Sequence, residues 1–342
     1  MLNREAAGCS VPEERMTILV SPTYYKQRKS FYEGFNCTVK PLLFEWKSLT
    51  ANHIKCIMGI KDTDSQLYVS TMLELLKRYQ RNNMIPDVHI FFKEVKSSCK
   101  VSGQAGPLDQ RIALLESMIA ESTINKGLDG CDLHTACLPG HLVVADLTDP
   151  LLSKVDVNGI FQVLVEQYRS SPAMPGHGKV LALDEAHKYM DGAVTDGLSA
   201  AIVNIARLMR HDGIRLIVGT QSPLALAPEL LELVTVAIIH RFHSKDWFTY
   251  LKVKIPLDDT AFDQLLDLEP GEALIFTSAH QIGRRERDQD KHVEKAEKHN
   301  CHYGRNVFKL KIRPRITVDI GGSVVNKTKS NLKKKVDGKP LK

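Results

Sequence analysis

The feature that most constrains this chain is an alternation running from about residue 141 to residue 277. The short apolar runs "HLVVAD", "KVLALD", "RLIVGTQ", "VAIIHRF" and "EALIFT" have the length and the Val, Ile and Leu content of buried strands. Between them stand stretches with apolar residues at helical spacing: "VNGIFQVLVEQYRS", residues 193–211 with Val194, Leu198, Ile202, Ile205 and Met209, then "PELLELV" and "KDWFTYLK". Gly213 supplies the stop that a helix C-terminus needs. Strands and helices in strict alternation predict an α/β fold built on a mostly parallel sheet with helices on both faces.

The N-terminal part is less regular. Leu2 to Ala7 are helix-like and stop at Gly8, and the strand "MTILV", Met16 to Val20, follows. "SPTYYKQRKSFY" reads as a loop, and "QLYVSTMLELLKRYQRN" as an amphipathic helix with Leu67, Met72, Leu75 and Leu76 near one face. "DVHIFFKEV" fits a strand or a short helix, and "DQRIALLESMIAES" a further helix. The expected organisation is an α/β domain over residues 1–282 with a helical insert at about 44–130, a charged exposed segment at 283–302, a strand extension at 303–325 and a lysine-rich tail at 326–342.

That tail carries the whole net charge of +6, through Lys327, Lys329, Lys333, Lys334, Lys335, Lys339 and Lys342 against Asp337. It is expected to be a solvated end, with weak attraction to nucleic-acid phosphates or nuclear import as the functional alternatives. No run approaches 18 apolar residues, and "MLNREAAGCS" has no apolar signal core, so an intracellular protein is expected. Seven cysteines without a CxxC pair fit reduced thiols. Cys131, His134, Cys137 and His141 have a superficial zinc-ligand spacing, but a loop leading into "HLVVAD" is the better reading.

Parallel sheets present functional groups at the carboxyl ends of their strands. Asp184 and Glu185 follow "KVLAL" at such an end, and Gln221 ends the next strand. In a nucleotide hydrolase the first carboxylate holds Mg²⁺ through water and the second takes a proton from the water attacking the γ-phosphate. A polar amide on the adjacent strand can contact that water or phosphate. The bland alternative is a glutamine opening a loop before Ser222 and Pro223.

The order of "VLALDEAHKYM", a helix and "RLIVGTQSPLALAPELLELVTVAIIHRF" resembles the HerA/FtsK group of RecA-like P-loop ATPases, over roughly residues 140–280. The resemblance implies ATP and Mg²⁺ as cofactors, Asp184 as the Walker B aspartate, Glu185 as the catalytic glutamate and Gln221 as a sensor. Asp184 and Gln221 would then touch the nucleotide, with Asp184 the Mg²⁺ ligand. Arg210 and Arg241 become candidates for arginines that reach a neighbouring subunit's phosphates. It further implies a hexameric ring that moves double-stranded DNA. His187 is expected to couple the site to its neighbours, or to be a structural histidine.

One motif is missing. GxxxxGK[ST] occurs nowhere in the chain; "AMPGHGKV" has Ala173 and Val180 where glycine and hydroxyl belong, and runs into the Asp184 strand, so Gly178 and Lys179 read as a loop. "DGKP" has proline in place of the hydroxyl. Because "MTILV" suits a second strand and "LNREAAG" the end of the helix before it, Met1 is expected to be internal, with the phosphate loop upstream. The alternative is a degenerate ATPase acting as a scaffold. A DEAH-box helicase would need a second RecA-like domain, for which the chain is too short, and neither GxSxG nor HExxH points to a small-molecule enzyme.

Overall fold

A computed structural model describes residues 15–60, 67–82, 84, 86–98, 105–172, 176–190, 197–278 and 307–312, all within one compact unit that spans Pro12–Ile312. The described elements are β1 (Met16–Val20), α1 (Tyr25–Phe31), β2 (Thr38–Pro41), α2 (Ala51–Ile57), α3 (Leu67–Arg81), α4 (Val88–Ser98), α5 (Ala105–Met118), the single turn α6 (Leu133–Ala136) and β3 (Leu142–Asp146). They continue with α7 (Lys154–Ser170), β4 (Lys179–Leu183), α8 (Gly197–Asp212), β5 (Ile214–Val218), α9 (Pro228–Glu232), β6 (Val236–Ile239), α10 (Lys245–Lys254), α11 (Ala261–Leu266), β7 (Glu272–Thr277) and β8 (Val307–Lys311).

The fold is mixed α/β with parallel strands flanked by helices, as the alternation implies. Its strands form three ladders: β2-β1-β3 and β4-β5, both parallel, and β6-β7-β8, antiparallel. Coverage of both faces, as expected, is met at β1, where Leu19 is buried on one face and Ile18 and Val20 on the other, but at β4 and β5 on one face only. Leu181, Leu183, Leu216 and Val218 pack inward against α8, while Val180 and Ile217 on the other face stay more than half exposed.

Helix α7 organises the interior. Ser153 and Asp156 form a capping box that starts it three residues before the apolar pattern does. Ile160, Val163 and Leu164 belong to a core built with α2–α5, and Val165 to a second core built with α8–α11 and β5–β7. Phe161 packs against both. Where α7 crosses α2, a Cβ added at Gly159 would overlap the carbonyl oxygen of Cys56, so only glycine lets these backbones approach.

The segment "DVHIFFKEV" is helix. Val88, Phe91, Phe92 and Val95 recur at helical spacing and all are buried, and Asp87 Oδ1 accepts from the His89 and Ile90 amides. The two phenylalanines stack about Trp46, at 5.3 and 6.1 Å between ring centroids. "YKQRKSF" forms α1 instead of a loop, fixed by Arg28 and Tyr32, one helical turn apart, which both reach Asp146 at the end of β3. Charged residues 283–302, the lysine tail and Leu2–Gly8 lie outside the described residues. No described helix is long and apolar enough to cross a membrane.

Two outcomes follow from this packing. Gly159→Ala should lower the urea midpoint by the equivalent of about 1–3 kcal/mol, because the methyl meets backbone that has no rotamer with which to yield. Glu166, hydrogen bonded by His53 at 3.3 Å and also by Gln162, is held below the ordinary carboxylate value of 4.5. Its contribution is therefore complete above pH 4.5 and lost as pH falls through the depressed value. Equilibrium unfolding of Glu166→Gln against pH should show a shallower acid limb than the parent.

Candidate functional site

β4 and β5 pair in register, with Leu183 opposite Val218, so the residues that follow each strand emerge together. The Gly219 amide donates to Leu183 O at 2.8 Å and the Ala186 amide to Gly219 O at 2.9 Å, lacing the two loops to each other. Asp184 and Glu185 thus face Thr220 and Gln221. Gln221 Nε2 donates to Glu185 Oε1 at 2.7 Å, so the structure brings together the two side chains that the sequence placed on adjacent strand ends.

Glu185 has an unusual backbone. Its φ of 52° makes it the only described non-glycine residue in the left-handed region, a conformation that costs an L-residue roughly 1–2 kcal/mol. Its Oε2 is buried 3.3 Å from His187 Nδ1. That nitrogen accepts from the Gln221 amide at 3.4 Å, so it has no proton to give, and Oε2 is left without a donor. His187 thereby ties the β4 loop to the β5 loop, as a coupling residue would.

The carboxylate of Asp184 is exposed and accepts no hydrogen bond among the described residues, while its main-chain oxygen accepts from Tyr189 Oη at 2.7 Å. Burial, together with Asp184 and Glu185, pushes the Tyr189 phenol up to about 12, and its ring lies 5.3 Å from Phe161 of α7. Tyr189 therefore joins the loop to the central helix. Sequence reasoning passed over it, although its place in "DEAHKYM" was the available signal.

Arg210 is exposed in the last turn of α8, at the foot of β5, about a strand's length (roughly 15 Å) from Gln221. Arg241 follows β6, is exposed, and donates weakly to Leu268 O at 3.4 Å. Arg210 is not brought to Asp184 within this chain.

Lys179 is fully engaged elsewhere. Its ammonium donates to Tyr168 O, Arg169 O and Ser171 O at 3.0, 2.8 and 2.7 Å, closing the C-terminus of α7. Burial lowers its pKa. Ala173 and the tail "DGKP" lie outside the described residues.

A second cluster sits at the ends of β1 and β3. Asp149 is buried and accepts from Ser21 at 2.6 Å and from Thr23, while Asp146 accepts from Arg28 and from Tyr32 at 2.8 Å. Burial raises Asp146, but its hydrogen bonds with Thr148, Tyr32 and Arg28 outweigh it and hold the carboxyl below its ordinary value. These contacts close on themselves. The zinc spacing fares no better: Cys131 donates to Asp132 O at 3.2 Å, burial pushes Cys137 up to about 11, and His141 turns to Pro139 O. The His134 side chain lies outside the description, and no described group of three His, Cys, Asp or Glu residues could hold a metal.

As a nucleotide site, the cluster is half fitted. An exposed carboxylate beside a second one suits a hydrated Mg²⁺, which keeps most of its waters and needs one or two carboxylates. Nothing described offers the row of amides, the free lysine and the hydroxyl that grip phosphates.

No known protein family and no curated protein matches the sequence. Among solved structures, the chain is similar to the genome packaging NTPase B204 from Sulfolobus turreted icosahedral virus 2, with 20% identity and a TM-score of 0.32 over 40% of this chain and 61% of that one. It is also similar to VirB4 of Thermoanaerobacter pseudethanolicus (16% identity, TM-score 0.44, 76% and 78% covered) and to the bacterial conjugative coupling protein TrwB (12%, 0.43, 79% and 84%). The chain spans about three fifths of the packaging NTPase. These likenesses concern the arrangement of strands and helices and assign no chemistry.

The left-handed Glu185 makes a prediction. Glu185→Gly should be more stable to unfolding than Glu185→Ala by about 1 kcal/mol, because both lose the same side-chain contacts and only alanine keeps the strain. Thermal or urea unfolding of the pair checks it.

Proposed function

We propose that this chain carries the metal and water half of an ATPase that moves a nucleic acid, with hydrolysis at Asp184 and Glu185 once a phosphate-binding loop is supplied from outside the described residues. The observation that carries this reading is the Gln221–Glu185 hydrogen bond at 2.7 Å, beside an uncommitted Asp184, at the carboxyl end of parallel strands. Mg²⁺·ATP would bring the phosphate to be cleaved and the charge that Asp184 holds. Glu185 takes the proton from the attacking water, which requires one of its oxygens to turn toward that water, since Oε1 is bonded to Gln221 and Oε2 is buried beside His187. Gln221 orients Glu185 and reports on the phosphate.

Double-stranded DNA as the track and a hexameric ring rest on the sequence resemblance alone. In such a ring Arg210 or Arg241 would act on the neighbouring subunit's nucleotide, since Arg210 lies far from this chain's own carboxylates. The second reading is a scaffold subunit that does not hydrolyse ATP, in which no phosphate-binding loop is supplied and Lys179, spent on the carbonyls of α7, does not stand in for one.

The test is ATP turnover by the chain joined at its N-terminus to a strand, a GxxxxGK[ST] loop and a helix. Turnover stimulated by duplex DNA is expected, and Glu185→Gln should cut it by about 10²–10⁴-fold while nucleotide affinity holds. Turnover that survives Glu185→Gln would refute the assignment, and a joined chain that binds nucleotide without turning it over would favour the scaffold.

A further inference from the structure

We infer that the cleft over the last turns of α7 is a binding site for a free α-amino acid with an aliphatic side chain, its carboxylate on Arg169 and its ammonium on Glu166. The cleft shares no residue with the Asp184–Gln221 cluster, and the site does not rest on the ATPase reading.

The cleft has a volume of about 420 Å³, within the range of roughly 300–1,000 Å³ that holds small molecules. α7 packs against both α2 and α8, and all three helices line it: His53 from α2, Asn204 from α8, and Glu166 and Arg169 from α7. Glu166 and Arg169 stand three residues apart on one helix, where opposite charges ordinarily meet. Here they do not. Glu166 is drawn to α2, with His53 Nε2 at 3.3 Å and Asn52 Nδ2 at 3.4 Å from its Oε2, while its Oε1 accepts only from Gln162, at 2.9 Å. Arg169 is drawn to α8, its Nε donating to Asp212 Oδ2 at 2.7 Å. Its two terminal nitrogens make no hydrogen bond among the described residues and form a fork that fits an oxyanion. Both side chains remain within reach of solvent, at 29% and 30% exposure.

A carboxylate and a guanidinium held apart in one cleft select a ligand by charge. A lone anion on Arg169 would face Glu166, and a lone cation on Glu166 would face Arg169. Only a molecule that carries both charges meets both groups. Residues at this helical spacing have Cβ atoms roughly 5–6 Å apart, so the ligand is a compact dipolar ion, and an α-amino acid, with its charges two bonds apart, has that form. The rest of the lining agrees. Val165 of α7, with Ala201 and Ile205 one turn apart on α8, offers carbon to an aliphatic side chain. The Asn204 amide has no partner among the described residues and both donates and accepts. Gln167 Nε2 donates to Ser48 Oγ at 3.2 Å, and its Oε1 is buried without a donor, which adds a negative dipole end to the lining. A neutral ligand would leave both charges unmet. Because Arg169 and Asp212 tie the end of α7 to the end of α8, a ligand on Arg169 braces the junction from which β4 and β5 start.

The test is titration of the full chain with three probes, followed by calorimetry and by the side-chain amide resonance of Asn204. The probes are L-valine, 3-methylbutanoate, which is valine without its ammonium, and 2-methylpropylamine, which is valine without its carboxylate. L-valine should bind at least about tenfold more tightly than either analogue. Glu166→Gln and Arg169→Gln should each weaken L-valine by about tenfold or more. Arg169→Gln also cuts the tie to Asp212, so Asn204→Leu is the second variant: at an exposed position with no described bond to lose, it fills the cleft and should abolish binding while the thermal midpoint holds. Equal affinity for 3-methylbutanoate would reduce the cleft to an anion site, and equal affinity for 2-methylpropylamine to a cation site; either overturns the proposal. So does the absence of binding by L-valine, L-leucine and L-isoleucine up to about 10 mM. Binding of L-valine that Asn204→Leu leaves unchanged would place the ligand elsewhere on the chain and refute the assignment.

Discussion

Burial of α7 on two flanks is the interaction on which the rest depends. A helix with apolar residues on adjoining faces, Ile160, Val163 and Leu164 toward one core and Val165 toward the other, must be enclosed from both sides. The glycine at its crossing with α2 sets how close that enclosure is. Its last turn then fixes the start of β4. Three carbonyls of α7 and its C-cap would otherwise be orphaned, and the Lys179 ammonium takes them from the first residue of the strand. Arg169, pairing with Asp212 at 2.7 Å, ties the same turn to the end of α8, where β5 begins. The feet of both strands are thus anchored to one helix end, and their opposite ends present Asp184 and Gln221 at a common level.

That common level explains how strain at Glu185 is tolerated. A left-handed glutamate persists only where its surroundings over-determine it. Here the Ala186 amide is held by Gly219 O, His187 by the Gln221 amide, and the Glu185 side chain by the Gln221 amide group. The loop after β4 has no freedom to relax without breaking its bonds to the loop after β5. A carboxylate oxygen kept buried and without a donor is costly. A strained backbone and an unsatisfied carboxylate thus fall at the same residue, at the carboxyl end of parallel strands.

Legibility in the sequence followed local chemistry. The strands β3, β4, β5, β6 and β7 were readable because each holds a run of three or four apolar residues bounded by polar or glycine residues, and Gly213 stopped α8 where it stands, at Asp212. α4 was ambiguous because "HIFF" supports either period; the deciding signal was Asp87, which caps the helix and was available in the sequence. α1 and β2 were missed because tertiary contacts make them: Arg28 and Tyr32 find Asp146 across more than a hundred residues, and β2 pairs with β1. At the site, Asp184, Glu185 and Gln221 could be named from strand ends, but not the φ of Glu185 or the Tyr189 bond to the Asp184 carbonyl, which depend on how two loops meet.

At β4 and β5 an uncovered apolar face and an exposed carboxylate belong to the same two strands. A carboxylate pair beside phosphates repels them unless a cation and a set of amides intervene, and the strength of that repulsion grows as water is excluded. Asp184 is exposed and Glu185 partly so, and water screens the pair. A cover over Val180 and Ile217 would remove part of that water, and an anion bound there would need amides or the positive end of a helix dipole beside the carboxylates.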